Sequence, residues 1–170
     1  MNQNKSNIWL RHASRWMTFF AILVLGLSAG ASLAEATLLV PFWKTLSGND
    51  FFGWYQDNKA RLVAFYSPMQ IWSAVLALSA LVLQWLSRSR GKWTMLASTF
   101  FALAVLGTFF LYFKAANTQL AADPMPDAQL LASLNEWEVW QWIRIGLATL
   151  AFCFATWAGS SPGTAVAEES

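Results

Sequence analysis

Four long apolar segments constrain this chain more than any other feature of its sequence. They cover residues 16–40, 68–86, 93–113 and 140–157. A hydrocarbon core of about 30 Å requires roughly 20 apolar residues in a helix, and each segment meets or nearly meets that length. Hydrophobic residues make up 56% of the chain and charged residues 12%, a composition far from that of a soluble domain. The sequence therefore predicts an all-α, four-helix transmembrane bundle in contact with the lipid bilayer.

Basic residues predict which side of the membrane each connection faces. Lysine and arginine precede the first segment and fill the turn between the second and third, and neither stretch contains an acidic residue. Short loops rich in these residues stay in the cytoplasm. Both termini are therefore predicted to be cytoplasmic, as suits a bacterial inner (plasma) membrane. A tryptophan stands at each of the four predicted cytoplasmic helix ends, where indole rings favour the membrane interface: Trp16, Trp85, Trp93 and Trp157.

The first segment has a second interpretation, as a secretory signal peptide cleaved near Ala34-Glu35-Ala36. Its apolar run is longer than the hydrophobic region of a typical signal peptide. Removing it would also leave three spans whose flanking charges no longer fit one orientation. We therefore interpret it as the first of four spans.

The chain is predicted to form one membrane domain over residues 1–159, followed by a disordered polar tail over 160–170. The two outer connections are longer than a bundle needs, and each is predicted to contain a short amphipathic helix. In the first connection, Asn49 or Asp50 caps a helix that lies on the membrane surface, and Pro68 begins the second span. In the second, residues 123–126 break the chain and Asp127 caps a helix that runs into the fourth span. Together these segments could form a lid.

Small residues recur every fourth position on two of the predicted spans. Such spacing lets helix backbones approach closely within lipid. We expect these faces to be packing seams within the bundle, and the alternative is a dimer interface. The residues are Gly26, Gly30 and Ala34 on the first span, and Ala151, Ala155 and Gly159 on the fourth.

Glu35 and Arg144 are the only charged side chains well inside the apolar segments. Charges at this depth are costly and commonly functional. At about 1.5 Å per residue, both lie some 6–8 Å below the predicted outer helix ends, so we expect them to pair. They are the candidate catalytic residues, with ligand contacts expected from Thr37, Tyr112, Trp137, Trp140 and Gln141. The alternative is a structural ion pair that fixes helix register, or an Arg144 that reaches up to the interface.

Several chemistries lack the residues they need. Cys153 is the single cysteine and His12 the single histidine, so one chain supplies neither a dithiol nor a histidine-based haem, zinc or di-iron site. No glycine-rich phosphate loop or nucleophile motif occurs, and no basic patch suggests nucleic acid. No metal, cofactor or nucleic-acid partner is therefore expected.

Two groups of residues resemble the anthrone oxygenase-like family of small four-span membrane proteins. One is Gly26-x-x-x-Gly30 followed by Pro41-Phe42-Trp43, and the other is Trp137-x-x-Trp140-Gln141-x-x-Arg144. Many members of that family have asparagine where this chain has Gln141. The resemblance implies an oxygenase that converts polycyclic anthrones to anthraquinones with molecular oxygen and without metal or flavin. Glu35 would then act as the base that removes a substrate proton.

Two hypotheses of different class remain from the sequence. The first is a membrane enzyme or binding protein for a small aromatic, lipid-soluble ligand near the outer face, recognisable by a roomy polar and aromatic cavity around Glu35 and Arg144. The second is a non-catalytic membrane subunit or scaffold with a tightly filled interior. It would act as a homo-oligomer or with a membrane protein partner.

Overall fold

The computed structural model describes the backbone of residues 2–160 and the side chains of residues 8–160, and this part of the chain is helical with no strand. Helix α1 (Asn2–Ala34) continues through a π-helical turn (Glu35–Leu39) into α2 (Val40–Trp43). Helix α3 covers Gly48–Leu86. Helix α4 (Lys92–Thr108) continues through a second π-helical turn (Phe109–Phe113) into α5 (Lys114–Leu120), and α6 covers Asp127–Ser160. The tail was predicted over residues 160–170; Ser160 is the last residue of α6, and residues 161–170 lie outside the described part.

Four continuous helical stretches are long and apolar enough to cross a membrane: Ile8–Trp43, Gly48–Leu86, Lys92–Leu120 and Asp127–Ser160. Each contains one of the predicted apolar segments. A transmembrane helix satisfies its own backbone hydrogen bonds, which is the main requirement in hydrocarbon. The chain is thus a multi-pass integral membrane protein with an all-α fold, as predicted.

The first outer connection is helical but not a separate surface helix, so that part of the prediction is wrong. Ser47 caps α3 by accepting a hydrogen bond from the backbone N–H of Asp50, and α3 then runs without interruption through Pro68 to Leu86. Proline removes only one backbone hydrogen bond, whereas ending the helix there would expose several unpaired groups near the membrane. The amphipathic segment is therefore the outer part of the second spanning helix.

The second outer connection agrees better with the sequence. Helix α5 prolongs the third span by two turns, residues 121–126 form the break, and α6 starts at Asp127 and continues into the fourth span. The two connections are joined where the backbone N–H of Gly48 donates to the Asp127 carboxylate at 2.8 Å. A Cβ at Gly48 would lie 1.7 Å from the Met125 carbonyl oxygen, so only glycine allows this approach.

The four spans form a ring in chain order. Helix α1 packs against α3 and α6, and α4 packs against the same two helices. Neighbouring spans run antiparallel because each connection is short. The end of α6 therefore lies beside α1, where a Cβ at Gly159 would be 3.0 Å from the Ile22 side chain.

The interior divides along the membrane normal into two clusters. We call the cluster nearer the chain termini the small-residue half, because most of its buried side chains are alanine: Ala21, Leu25, Ala77, Ala80, Met95, Ala102, Ala151, Ala155 and Ala158. The cluster nearer the two outer connections is called the aromatic half: Val40, Trp43, Phe51, Tyr55, Phe113, Leu120, Leu130, Leu134 and Trp137. The charged pair lies where one half gives way to the other.

The small-residue stripes form a seam over part of their length only. Ala151 and Ala155 are fully buried, and a Cβ at Gly26 would lie 3.0 Å from the Phe152 ring. Gly30, by contrast, has nothing within 4 Å of its Cβ position, and Ala34 is exposed. The stripe on α1 thus leaves the bundle interface as it approaches Glu35.

Candidate functional site

Glu35 and Arg144 form the buried ion pair that the sequence predicts. Arg144 Nη2 donates to Glu35 Oε2 at 2.8 Å, and both side chains are 6% exposed. Glu35 comes from the end of α1 and Arg144 from the middle of α6, so the pair joins the first and last spans. Breaking such a pair leaves an uncompensated charge, which gives it a strong influence on helix register.

Gln141 completes this charged cluster and is fully buried. Its amide nitrogen donates to Glu35 Oε2 and to the Ser32 backbone oxygen, each at 2.9 Å. Its amide oxygen accepts a hydrogen bond from Arg144 Nη2. Gln141 and Arg144 are three residues apart on α6 and therefore lie on one helix face. The structure thus places this predicted ligand contact in direct contact with both charged residues.

Aromatic rings cover the arginine. The guanidinium carbon of Arg144 lies 4.0 Å from the Phe113 ring centroid and 5.8 Å from that of Trp137. Cations are attracted to the negative faces of such rings, most strongly where water is excluded. Trp43 in turn contacts Trp137, with ring centroids 5.5 Å apart. Trp137 was predicted at the site, whereas Phe113 and Trp43 were missed.

Both π-helical turns occur at this cluster. One begins at Glu35 and the other ends at Phe113, the ring beneath Arg144. Each wide turn adds one residue to the helix, and in the third span the buried positions step by five residues, from Thr108 to Phe113. π-Helical turns are rare and frequently occur at functional sites. The sequence alone carries no signal for this step, so Phe113 could not be found before the structure.

The remaining predicted contacts lie farther from the pair. Tyr112 stacks on Trp140, with centroids 5.1 Å apart and planes within 10°, and its ring also contacts Phe113. Tyr112 is therefore one ring removed from Arg144, and Trp140 is two rings removed. Thr37 is exposed, and its hydroxyl donates to the Leu33 carbonyl at 2.8 Å. The structure does not bring Thr37 to the cluster, because two residues along a helix turn a side chain to the opposite face.

Some hydrogen-bonding capacity at the cluster is not used within the described part of the chain. Arg144 Nε and Trp43 Nε1 are enclosed donors without a partner there. Glu35 Oε2 accepts two hydrogen bonds, while Oε1 accepts none from a described residue. Buried polar groups are normally paired, so each exception calls for an explanation.

Protein-family models, curated proteins and solved structures were all compared with this chain, and none matched. The resemblance to anthrone oxygenase-like proteins therefore stays a prediction.

Two surface cavities occur on the bundle, and neither includes the charged residues of the cluster. A groove of about 340 Å³ lies between α1 and α6 and is lined only by apolar residues and Gly26. A second cavity of about 390 Å³ lies between the outer connections, beside Lys44, Ser47 and Asp127. Lys44 pairs with Glu138 at 2.5 Å near this second cavity. Neither cavity is lined by Glu35 or Arg144, so the roomy cavity expected around the pair is not one of these two.

Metal-ligating residues do not gather anywhere in the described part of the chain, where no three of the histidine, cysteine, aspartate and glutamate side chains lie together. His12 and Cys153 are both exposed. The charged cluster itself offers an acceptor and a donor. Glu35 Oε1 can accept a hydrogen bond or a proton, and the Arg144 guanidinium can donate to an oxygen atom or an anion.

Proposed function

We propose that this membrane protein binds a small aromatic, lipid-soluble molecule at the cluster of Glu35, Gln141 and Arg144. The observation that carries the proposal is the unused hydrogen-bonding capacity of the pair: Glu35 Oε1 as acceptor and Arg144 Nε as donor. Polar groups within hydrocarbon are costly when unpaired, and a purely structural pair would be expected to have every atom paired.

The surroundings of the pair support an aromatic ligand. Phe113 and Trp137 contact the guanidinium, and Tyr112 and Trp140 form a stacked pair next to Phe113. Offset stacking and edge-to-face contacts favour a planar, apolar ring system among such side chains. A molecule that also carries a phenol or ketone oxygen would pair with the unused donor and acceptor. This combination describes a lipid-soluble aromatic ketone or phenol.

The resemblance in sequence extends the proposal to a reaction without metal or flavin. Glu35 would remove a proton from the methylene carbon between two aromatic rings, and Arg144 would stabilise the enolate oxygen that results. Molecular oxygen would then add to that carbon to give a peroxide. Loss of water leaves a ketone, so that one methylene group and one O₂ give one carbonyl group and one water. In this reading the protein is an oxidoreductase of a bacterial inner membrane with both termini in the cytoplasm.

A second candidate function is a non-catalytic membrane subunit of a larger complex or of a homo-oligomer. The observation that favours it is the location of the two cavities, neither of which reaches Glu35 or Arg144. The charged cluster would then fasten α1 to α6, and a partner membrane protein would bind the outer surface of the bundle.

Native mass spectrometry of the purified protein separates the two candidates. We would compare the wild type with Glu35→Gln, which keeps the shape of the side chain, and with Lys44→Gln, which disrupts the half-exposed pair to Glu138 as a matched control. An organic adduct retained by the wild type and by Lys44→Gln but lost by Glu35→Gln is the expected result. A bound protein partner and no organic adduct on the wild type would contradict ligand binding and favour the subunit.

A further inference from the structure

A row of polar side chains continues from Glu35 toward the middle of the membrane. Ser28, Ser32 and Glu35 occupy one face of α1, at positions i, i+4 and i+7. Their exposed fractions are 4%, 1% and 5%. This face of α1 points into the bundle. Polar side chains buried in a membrane-spanning helix normally have hydrogen-bonding or ionic partners, so an unpaired row here is unusual.

Helix α3 places polar side chains opposite this row. The Ser73 hydroxyl donates to the Met69 carbonyl of its own helix at 2.8 Å and lies 3.4 Å from the Val24 carbonyl, so Ser73 of α3 is at the depth of Val24 of α1. The two helices are antiparallel, so residue numbers that increase along α1 toward Glu35 match numbers that decrease along α3 toward Tyr66. Gln70 is therefore at the depth of Ser28, and its exposed fraction is 8%. Tyr66 follows at the depth of Ser32.

These polar groups are neither paired nor sealed. Among the described residues, the hydroxyls of Ser28 and Ser32 and the amide of Gln70 take part in no hydrogen bond. The fully enclosed polar atoms without a partner in that part of the chain are Trp43 Nε1, Gln84 Oε1 and Arg144 Nε. The Ser32 hydroxyl also has no partner but is not fully enclosed. Its oxygen atom therefore keeps some surface that a water-sized molecule can reach, although the residue as a whole is only 1% exposed.

We infer that water molecules occupy the interface of α1 and α3 alongside Ser28, Ser32 and Gln70, and that they reach the free carboxylate oxygen of Glu35. Buried water typically makes about three hydrogen bonds to groups that would otherwise be unpaired. The site suits a neutral molecule, because the charges of Glu35 and Arg144 cancel. Such water gives Glu35 a route for proton exchange, whether or not an organic ligand binds at the same cluster.

The small-residue half provides a dry reference at a comparable degree of burial. Ser98 is 0% exposed, and its hydroxyl donates to the Ala151 carbonyl across the helix interface at 2.7 Å. The Ser98 hydroxyl therefore has a protein partner and does not require water. Ser98 and Ser32 thus differ in the presence of a partner and hardly at all in burial.

Radiolytic labelling tests the inference, since hydroxyl radicals formed from bound water oxidise a neighbouring sulfur without the entry of a reagent. We would place Ser32→Cys, Ser28→Cys and Ser98→Cys singly in a Cys153→Ser background, in lipid nanodiscs, and measure oxidation of the introduced sulfur by mass spectrometry. Several-fold faster oxidation at positions 28 and 32 than at position 98 is expected. Equal rates, or faster oxidation at position 98, would overturn the inference.

Two features keep this test independent of folding and of ligand binding. If Ser32→Cys does not fold, as judged by gel filtration, the comparison of Ser28→Cys with Ser98→Cys decides by the same criterion. The labelling pattern reports water and not an organic ligand. A failure of ligand binding in mass spectrometry therefore leaves this result unchanged, and the reverse also holds.

Discussion

The small-residue half and the aromatic half solve the same packing problem in opposite ways. In the small-residue half, alanine lets the backbones approach, and hydroxyl groups such as those of Ser98 and Thr99 donate to carbonyls of the neighbouring helix. In lipid these close contacts and interhelical hydrogen bonds replace the hydrophobic effect as the cause of helix association. The buried side chains of that half are therefore held by close backbone contacts.

The aromatic half is filled by rings instead of by close backbones. Trp43 lies at its centre and contacts four other rings. Ring-to-ring contacts hold the outer parts of the helices together and also cover the guanidinium of Arg144. The comparison teaches that a ligand site is better suited to the aromatic half, where rings can change orientation without requiring the backbones to separate.

Loss of Arg144 should have the largest effect on stability, because it leaves Glu35 buried without a counter-charge. We expect Arg144→Leu to lower the free energy of unfolding by about 3–5 kcal/mol. The matched control is Lys44→Leu, which breaks a pair whose side chains are 23% and 30% exposed and should cost less than about 1 kcal/mol. Both can be measured by denaturant titration in mixed micelles, followed by tryptophan fluorescence.

A double variant sharpens this prediction. Glu35→Gln combined with Arg144→Leu removes both charges and should recover much of the stability that Arg144→Leu loses. If Arg144→Leu and Lys44→Leu lose equal stability, burial does not make the Glu35–Arg144 pair more important for stability than the pair of Lys44 with Glu138. That result would contradict the prediction.

Truncation of Trp43 should have the next largest effect. Trp43→Ala removes the ring at the centre of the aromatic half and should cost about 3 kcal/mol, near the lower end for buried aromatic residues. Trp72→Ala is the control, since Trp72 is on α3, 57% exposed and able to face lipid. The same unfolding titration applies, and similar losses for the two variants would show that the ring cluster does not stabilise this half.

The opposite substitution tests the small-residue half. Ala77 is fully buried on α3, and Ala77→Leu should cost about 1–3 kcal/mol because the added atoms would push the backbones apart. Ala64→Leu on the same helix adds the same atoms at an exposed position and should be nearly neutral. Thermal unfolding in detergent is sufficient to compare them. Tolerance of leucine at position 77 would mean that the alanines do not set the helix spacing.

Much of the fold could be predicted from hydropathy alone, because hydrocarbon permits few backbone structures. The span count and the pairing of Glu35 with Arg144 follow from segment length and from depth along the helices. The continuity of α3 through Pro68 did not follow. A proline favours a helix start in water, but near a membrane the cost of unpaired backbone groups decides.

The facing of side chains at the site was predicted less well, for a geometric reason. In the third span, counting in steps of three or four residues from the buried Thr108 indicates Leu111 or Tyr112 and misses Phe113, because the π-helical turn adds one residue there. Phe113 was therefore overlooked although it contacts Arg144 directly. Thr37 has a different cause: it is two residues from Glu35, and a helix turns such a side chain to the opposite face. A single sequence does not reveal where a helix widens by one residue.

The two glycines at the edge of the small-residue half give the smallest expected effects. Alanine is favoured over glycine within a helix by about 0.5–1 kcal/mol, so Gly30→Ala, with open space at its Cβ position, should raise stability by up to that amount. Gly26→Ala gains the same preference, but its methyl group would lie 3.0 Å from the Phe152 ring, and the gain should be cancelled or reversed.

Unfolding titrations at two protein concentrations would measure both glycine variants and would also test the dimer alternative for this stripe. If Gly30 lies against a second copy of the chain, its alanine variant should lose stability, and the loss should depend on protein concentration. If Gly30 faces lipid, the variant should gain stability at either concentration. A gain in the free energy of unfolding for Gly30→Ala would therefore show that the packing seam on α1 ends at Gly26. A loss that depends on protein concentration would show that the stripe continues as an interface between two copies.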